Sequence, residues 1–87
     1  KKLLKEGVSE MIVQVPSKWD VSRYGNGVIA EWYKREGESV KKGELLCLIM
    51  VSKIRIEVES PVDGKIKRII AQKETEVKPG DPLVEIE

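Results

Sequence analysis

The chain has 87 residues, 40% of them hydrophobic, and its 16 Lys and Arg against 15 Asp and Glu leave a formal charge of +1. That length allows one domain with a single small core, and the balanced charge gives no basic surplus for gripping nucleic acid. No apolar run reaches the length of a membrane span and the first residues do not read as a signal segment; histidine is absent, and one cysteine excludes an internal disulfide.

Twenty residues are Val or Ile, six are Leu and none is Phe, so branching at Cβ favours strands over helices. Lys1 to Glu10 is mixed and is expected to be a linker or flexible tail, with the domain spanning residues 11–87. Met11 to Val15 alternates as a strand and is stopped by Pro16. Ser17 to Asn26 reads as a surface loop carrying Trp19 and Tyr24. Trp32 is expected to pack in the core. In Leu45–Val51, Cys47 shares parity with Ile49 and Val51 and is expected to be a buried structural thiol. Leu48 and Met50 fall on the opposite face, where they either cover a flat sheet or form an apolar contact patch near the following turn. Ile54, Ile56 and Val58 then alternate with Arg55, Glu57 and Glu59, the period of a strand with one wet face. Lys65 to Lys78 carries Ile66, Ile69, Ile70 and Val77, a spacing that suits a helical face as well. Gly37, Gly43, Gly64 and Gly80 read as turn positions.

An internal repeat separates the two readings of Lys65 to Lys78. A shift of 37 residues aligns 27–49 with 64–86 without a gap, with seven identities in 23 positions. They are Gly27 with Gly64, Ile29 with Ile66, Val40 with Val77, Lys41 with Lys78, Gly43 with Gly80, Leu46 with Leu83 and Ile49 with Ile86. Gly37 interrupts the corresponding stretch of the first copy, so both copies are expected to be extended. Ten residues separate Pro16 from Gly27 and two separate Pro61 from Gly64, so the first unit alone carries the loop. The units meet at Leu45–Val51 and Ile54–Glu59 with only Ser52 and Lys53 between them, a tight hairpin. An approximate two-fold axis would place the chain ends at the symmetry-related position. Lys53 is therefore expected to project from one end of the body and the termini from the other.

These residues resemble the biotinyl/lipoyl carrier domain family over most of the chain. The resemblance rests on the strand ending in Pro16, on Lys18-Trp19 and on the run Arg35 to Glu44. It continues with Lys53 at the hairpin, Glu59-Ser60-Pro61-Val62-Asp63-Gly64 and the ending Val77-Lys78-Pro79-Gly80-Asp81-Pro82-Leu83. It implies an all-β fold, a flattened barrel or sandwich of two small antiparallel sheets (a barrel-sandwich hybrid) with an internal pseudo-two-fold repeat. It also implies that Lys53 carries the cofactor, with Val51, Ser52 and Ile54 forming the hairpin tip. Lys18, Trp19, Arg23 and Tyr24 fall in a loop that lies near the lysine in the family and is a candidate partner contact.

Within the family, biotin carriers usually have Met on both sides of the lysine, whereas here the neighbours are Ser52 and Ile54. Lipoyl domains commonly place acids where this chain has Leu48, Met50 and Ser52, yet the Pro16, Lys18-Trp19 and Glu-Ser-Pro-Val-Asp-Gly features are similar to lipoyl domains of 2-oxo acid dehydrogenase acyltransferases. The resemblance thus implies a non-catalytic swinging-arm carrier with lipoate on Lys53. The alternatives are a biotin carrier and an unmodified barrel used for assembly. The partners implied are a lipoate-protein ligase, a thiamine-dependent 2-oxo acid dehydrogenase component, the acyltransferase catalytic core and dihydrolipoyl dehydrogenase. No metal, nucleic acid or membrane is expected. The isolated domain is expected to be a monomer in the cytoplasm, or in the mitochondrial matrix of a eukaryote.

Overall fold

Segments rich in Val and Ile become eight strands in the computed structural model, which describes residues 11–87. The expected tail at residues 1–10 lies outside the described residues. In chain order the elements are β1 (Met11–Gln14), α1 (Val21–Tyr24), β2 (Gly27–Trp32), β3 (Ser39–Val40), β4 (Leu45–Val51), β5 (Ile54–Glu59), β6 (Gly64–Ile69), β7 (Glu76–Val77) and β8 (Pro82–Ile86). Two four-stranded antiparallel sheets result, one ordered β1-β8-β6-β3 and the other β5-β4-β2-β7. The all-β expectation holds, and the ambiguous stretch after Lys65 is extended as β6 and β7.

The repeat is reproduced bond by bond. Exchanging β1, β2, β3 and β4 for β5, β6, β7 and β8 turns one sheet order into the other. Ile29 pairs with Ile49 as Ile66 pairs with Ile86, and Gly27 pairs with Val77 as Gly64 pairs with Val40. The Gly43 N–H donates to the Ser60 carbonyl at 2.8 Å, and the Gly80 N–H to the Val15 carbonyl at 3.0 Å. Lys41 N–H donates to the Glu44 carboxylate at 2.8 Å, and Lys78 N–H to that of Asp81 at 3.1 Å.

Two glycine positions fix how closely the strands approach. A Cβ on Gly27 would lie 2.7 Å from Ile49 Cγ2, and one on Gly64 would lie 2.6 Å from Ile86 Cγ2 and 2.6 Å from the Glu87 carbonyl oxygen. Both contacts are too short for any side chain, so the missing Cβ is what lets the paired isoleucines enter the core. Ile29, Ile49, Ile66, Ile86, Leu46 and Leu83, all at most 1% exposed, form its centre.

Strand parity is broken at bulges. The β4–β5 register shifts between Leu45 and Cys47, so Leu46 and Cys47 are both buried. Trp32 packs against the core as expected, and its Nε1–H donates to the Ala71 carbonyl at 2.8 Å, joining the first unit to the turn of the second. The Ser60-Pro61-Val62-Asp63 run serves as a corner. Ser60, the one buried polar residue among those described, donates its hydroxyl to the Val62 carbonyl at 2.6 Å, and Asp63 accepts from the Lys42 N–H at 2.7 Å.

The matched turns differ at one place. Gly37 has φ +90°, and its counterpart 37 residues on is Glu74 at φ +72°. A side chain in the left-handed region costs about 1–2 kcal/mol, offset in part by the extra chain entropy a glycine would lose. Glu74→Gly is therefore expected to raise unfolding stability by about 0.5–1 kcal/mol, read from the urea midpoint; a lowered midpoint would contradict the strained turn. Burial raises the Cys47 thiol pKa from 9.0 to about 12. At pH 8 it should resist a thiol-labelling reagent in native buffer and react at once in guanidinium chloride. Equal rates in the two conditions would contradict its burial.

Candidate functional site

The hairpin between β4 and β5 joins the two units through only two residues. Val51 pairs with Ile54 at its base, Val51 being fully buried and Ile54 half-buried against the core. Only Ser52 and Lys53 remain to turn the chain, and Ser52 adopts φ +55° to do so. Two-residue hairpins need such a positive φ for their twist to match the strands. A serine there holds a conformation that most side chains avoid, a local strain of the kind found at functional positions. Lys53 follows it, exposed, and among the described residues it makes no hydrogen bond or ion pair.

The tip lies at one end of the body, and Met11 and Glu87, the ends of the described residues, lie at the other. β5 leads from the tip to Ser60, after which Gly64 packs against Ile86 and Glu87. β1 starts from the Met11–Ile86 pair and runs the other way, into the loop that ends at Gly27 beside Ile49 and Val51. Asn26 and Gly27 are thus neighbours of the hairpin base, and the loop stands at the lysine end.

Inside that loop the expectation of a plain surface loop is modified by the helical turn α1. Asp20 is its N-cap, accepting from the Ser22 N–H at 3.0 Å and from the Ser22 hydroxyl at 2.7 Å. The Ser22 hydroxyl bond is the main cause that holds the Asp20 carboxyl below its ordinary pKa. The signal was present in the sequence as Asp20 before Val21-Ser22-Arg23-Tyr24, with Gly25 behind it at φ +82°. Trp19 is 8% exposed and belongs to the core, and its Nε1–H donates to the Gly25 carbonyl at 2.9 Å. Of the four loop residues singled out from the sequence, Trp19 is the anchor, whereas Lys18, Arg23 and Tyr24 face solvent.

The edge strands β1 and β5 are symmetry mates and flank a cleft of about 760 Å³, with Val13, Val15, Ile56 and Val58 among its lining and Lys18 and Arg55 at its border. No group of three or more metal-ligating side chains occurs among the described residues, and none of their helices is long and apolar enough to cross a membrane. An isolated exposed amine at the end of a rigid body can be acylated by an enzyme whose pocket admits the tip.

The biotin/lipoyl family model, described as biotin-requiring enzyme, matches residues 12–86. The dihydrolipoyllysine-residue succinyltransferase component of the 2-oxoglutarate dehydrogenase complex of Rickettsia bellii is 43% identical over 58 residues, which cover 67% of this chain and 14% of that protein. The mitochondrial lipoamide acyltransferase component of the branched-chain alpha-keto acid dehydrogenase complex of Mus musculus is 31% identical over 74 residues, 80% of this chain and 15% of its own length. The chain thus spans about one seventh of the curated relatives it matches. The solution structure of the lipoyl domain of the 2-oxoglutarate dehydrogenase complex from Azotobacter vinelandii superposes with a TM-score of 0.71 at 28% identity, covering 88% of this chain and 95% of that one. The shared sheets, the repeat and a match running from β1 to the end of β8 lead to one conclusion: the chain belongs to the biotinyl/lipoyl attachment domain family, and within it resembles the lipoyl domains of acyltransferase components.

Proposed function

We propose that this chain is a lipoyl carrier domain of a 2-oxo acid dehydrogenase acyltransferase, with the cofactor joined to Lys53. The observation that carries the reading is the position of Lys53: exposed, without a bonding partner among the described residues, and at the far end of the body from Met11 and Glu87, the ends of the described residues. Loading forms an amide between Lys53 Nζ and the lipoate carboxyl carbon. The ligase first activates that carboxyl with ATP, so AMP is the leaving group and the amine proton goes to solvent. The dithiolane, once attached, supplies acyl transfer and two-electron redox chemistry.

The protein's share is presentation. Val51 and Ile54 lock the base of the hairpin, and the strained Ser52 sets the direction in which Lys53 leaves the body. The loop anchored by Trp19 brings Arg23 and Tyr24 to the same end, where a partner that takes in the arm would meet them. Attachment to a longer polypeptide raises the arm's effective concentration at each partner without any new contact. The thiamine-dependent dehydrogenase component, the acyltransferase core and dihydrolipoyl dehydrogenase are then the successive partners, in the cytoplasm or the mitochondrial matrix. Lipoate is favoured over biotin by the acyltransferase components among the relatives and by Ser52 and Ile54 in place of flanking methionines.

Incubating the purified chain with lipoate, ATP and a lipoate-protein ligase should add the mass of one lipoyl group to the wild type and none to Lys53→Arg. Full modification of Lys53→Arg would contradict the site, and capture of the protein from its host on avidin would contradict the cofactor.

A further inference from the structure

Because one repeat builds both sheets, each outer face is a reference for the other. On the outer face of the β1-β8-β6-β3 sheet, Glu85 lies between Ile12 and Arg68 and forms ion pairs with Arg68 at 3.5 Å and Lys67 at 4.0 Å. The matching position of the other sheet, 37 residues earlier, is Leu48, between Glu57 and Glu31. Leu48 is 8% exposed yet stands outside the core cluster. One step nearer the tip, Met50 lies between Arg55 and Val28, and Val28 is paired with Glu76. Val28 is 41% exposed and Met50 half-buried.

Val28, Leu48 and Met50 thus form an apolar strip on the outside of the sheet, ending two residues short of Ser52. Its charged border is largely unsatisfied. Glu31 is met by Lys73 at 3.4 Å, whereas Glu57 and Glu76 have no ion pair among the described residues. The twin face spends its carboxylate on two internal cations, while this one leaves carboxylates open to an outside partner.

We infer that this strip is the docking surface for the enzyme that acylates Lys53, which meets it with apolar side chains flanked by lysine or arginine. The inference rests on the carrier reading for the identity of the partner. Its occupant follows from continuity and charge. An enzyme that takes Lys53 into its active site approaches the tip beside which this strip ends, and Glu57 and Glu76 call for cations on either side of the apolar contact. Arg55, at the corner beside Met50, is the cation that such a partner must meet with an acceptor or leave in water.

The test is steady-state loading of the purified chain by a lipoate-protein ligase with lipoate and ATP, varying the chain concentration. The variants are Val28→Ser with Met50→Ser, Glu57→Lys with Glu76→Lys, and Ile12→Ser on the twin face, each checked for a native thermal unfolding transition. The charge-reversed pair alters only exposed side chains and so guards against a misfolded apolar variant. Both strip variants should raise KM about tenfold with kcat unchanged, and Ile12→Ser should keep the wild-type KM. An unchanged KM in the charge-reversed variant, or an equal rise in Ile12→Ser, overturns the docking surface while leaving Lys53 as the site. A wild-type dimer that the strip variants abolish overturns it in favour of a second copy of the chain. A wild type that takes up no lipoyl group overturns the carrier reading and the docking surface together.

Discussion

Gly27 against Ile49, repeated as Gly64 against Ile86, is the contact on which the rest of the structure depends. In each unit it removes one Cβ so that an isoleucine of the last strand can enter the core beside the first hydrogen-bonded pair. That sets the register of β2 on β4 and of β6 on β8, and a slip of one residue would send every buried side chain to the wet face. With the register set, Val51 is held inside, and the chain must reverse in two residues. The exposed lysine follows from that reversal. The same contact at the symmetry-related position has no hairpin to hold, because β1 and β8 are the two ends of the described fold.

A carrier of this kind is a substrate for other enzymes, and its requirements are mechanical. In the proposed role the attached arm must be free, while its base must be rigid. The tip combines both. Ser52 holds a left-handed conformation and Lys53 is solvated, whereas Val51 and Ile54 tie the turn to the core within one residue on either side. The loop of the first unit adds a second surface at that end, held by the Trp19 hydrogen bond to Gly25 and by the Asp20 cap. The second unit has only Val62 and Asp63 in its place. The asymmetry of an otherwise repeated body therefore collects at the lysine end.

Much of this was legible in the sequence because the repeat is a long-range signal. It decided that the stretch after Lys65 is extended, where Ile66, Ile69 and Ile70 alone suited a helix equally well, while the alternation of Ile54, Ile56 and Val58 with Arg55, Glu57 and Glu59 marked β5 directly. What was not legible depends on local shifts and on contacts across the fold. Leu45–Val51 is apolar at every position, so the bulge that buries both Leu46 and Cys47 leaves no trace in its pattern. Leu48 lies on the face opposite Cys47 and is 8% exposed although it stands outside the core cluster, a burial that no single-strand pattern encodes. The Asp20 cap begins a helical turn of only four residues, too short to show a helical period in the sequence. Glu74 gave no sign of a positive φ, since only its alignment with Gly37 suggests one.

The most direct measurement is peptide mapping by mass spectrometry of the protein isolated from its host, where twelve lysines compete for assignment. The account predicts one lipoyl group on the peptide that contains Ser52-Lys53-Ile54 and unmodified lysines elsewhere. A lipoyl group on another lysine, or a biotinyl group on Lys53, would contradict it.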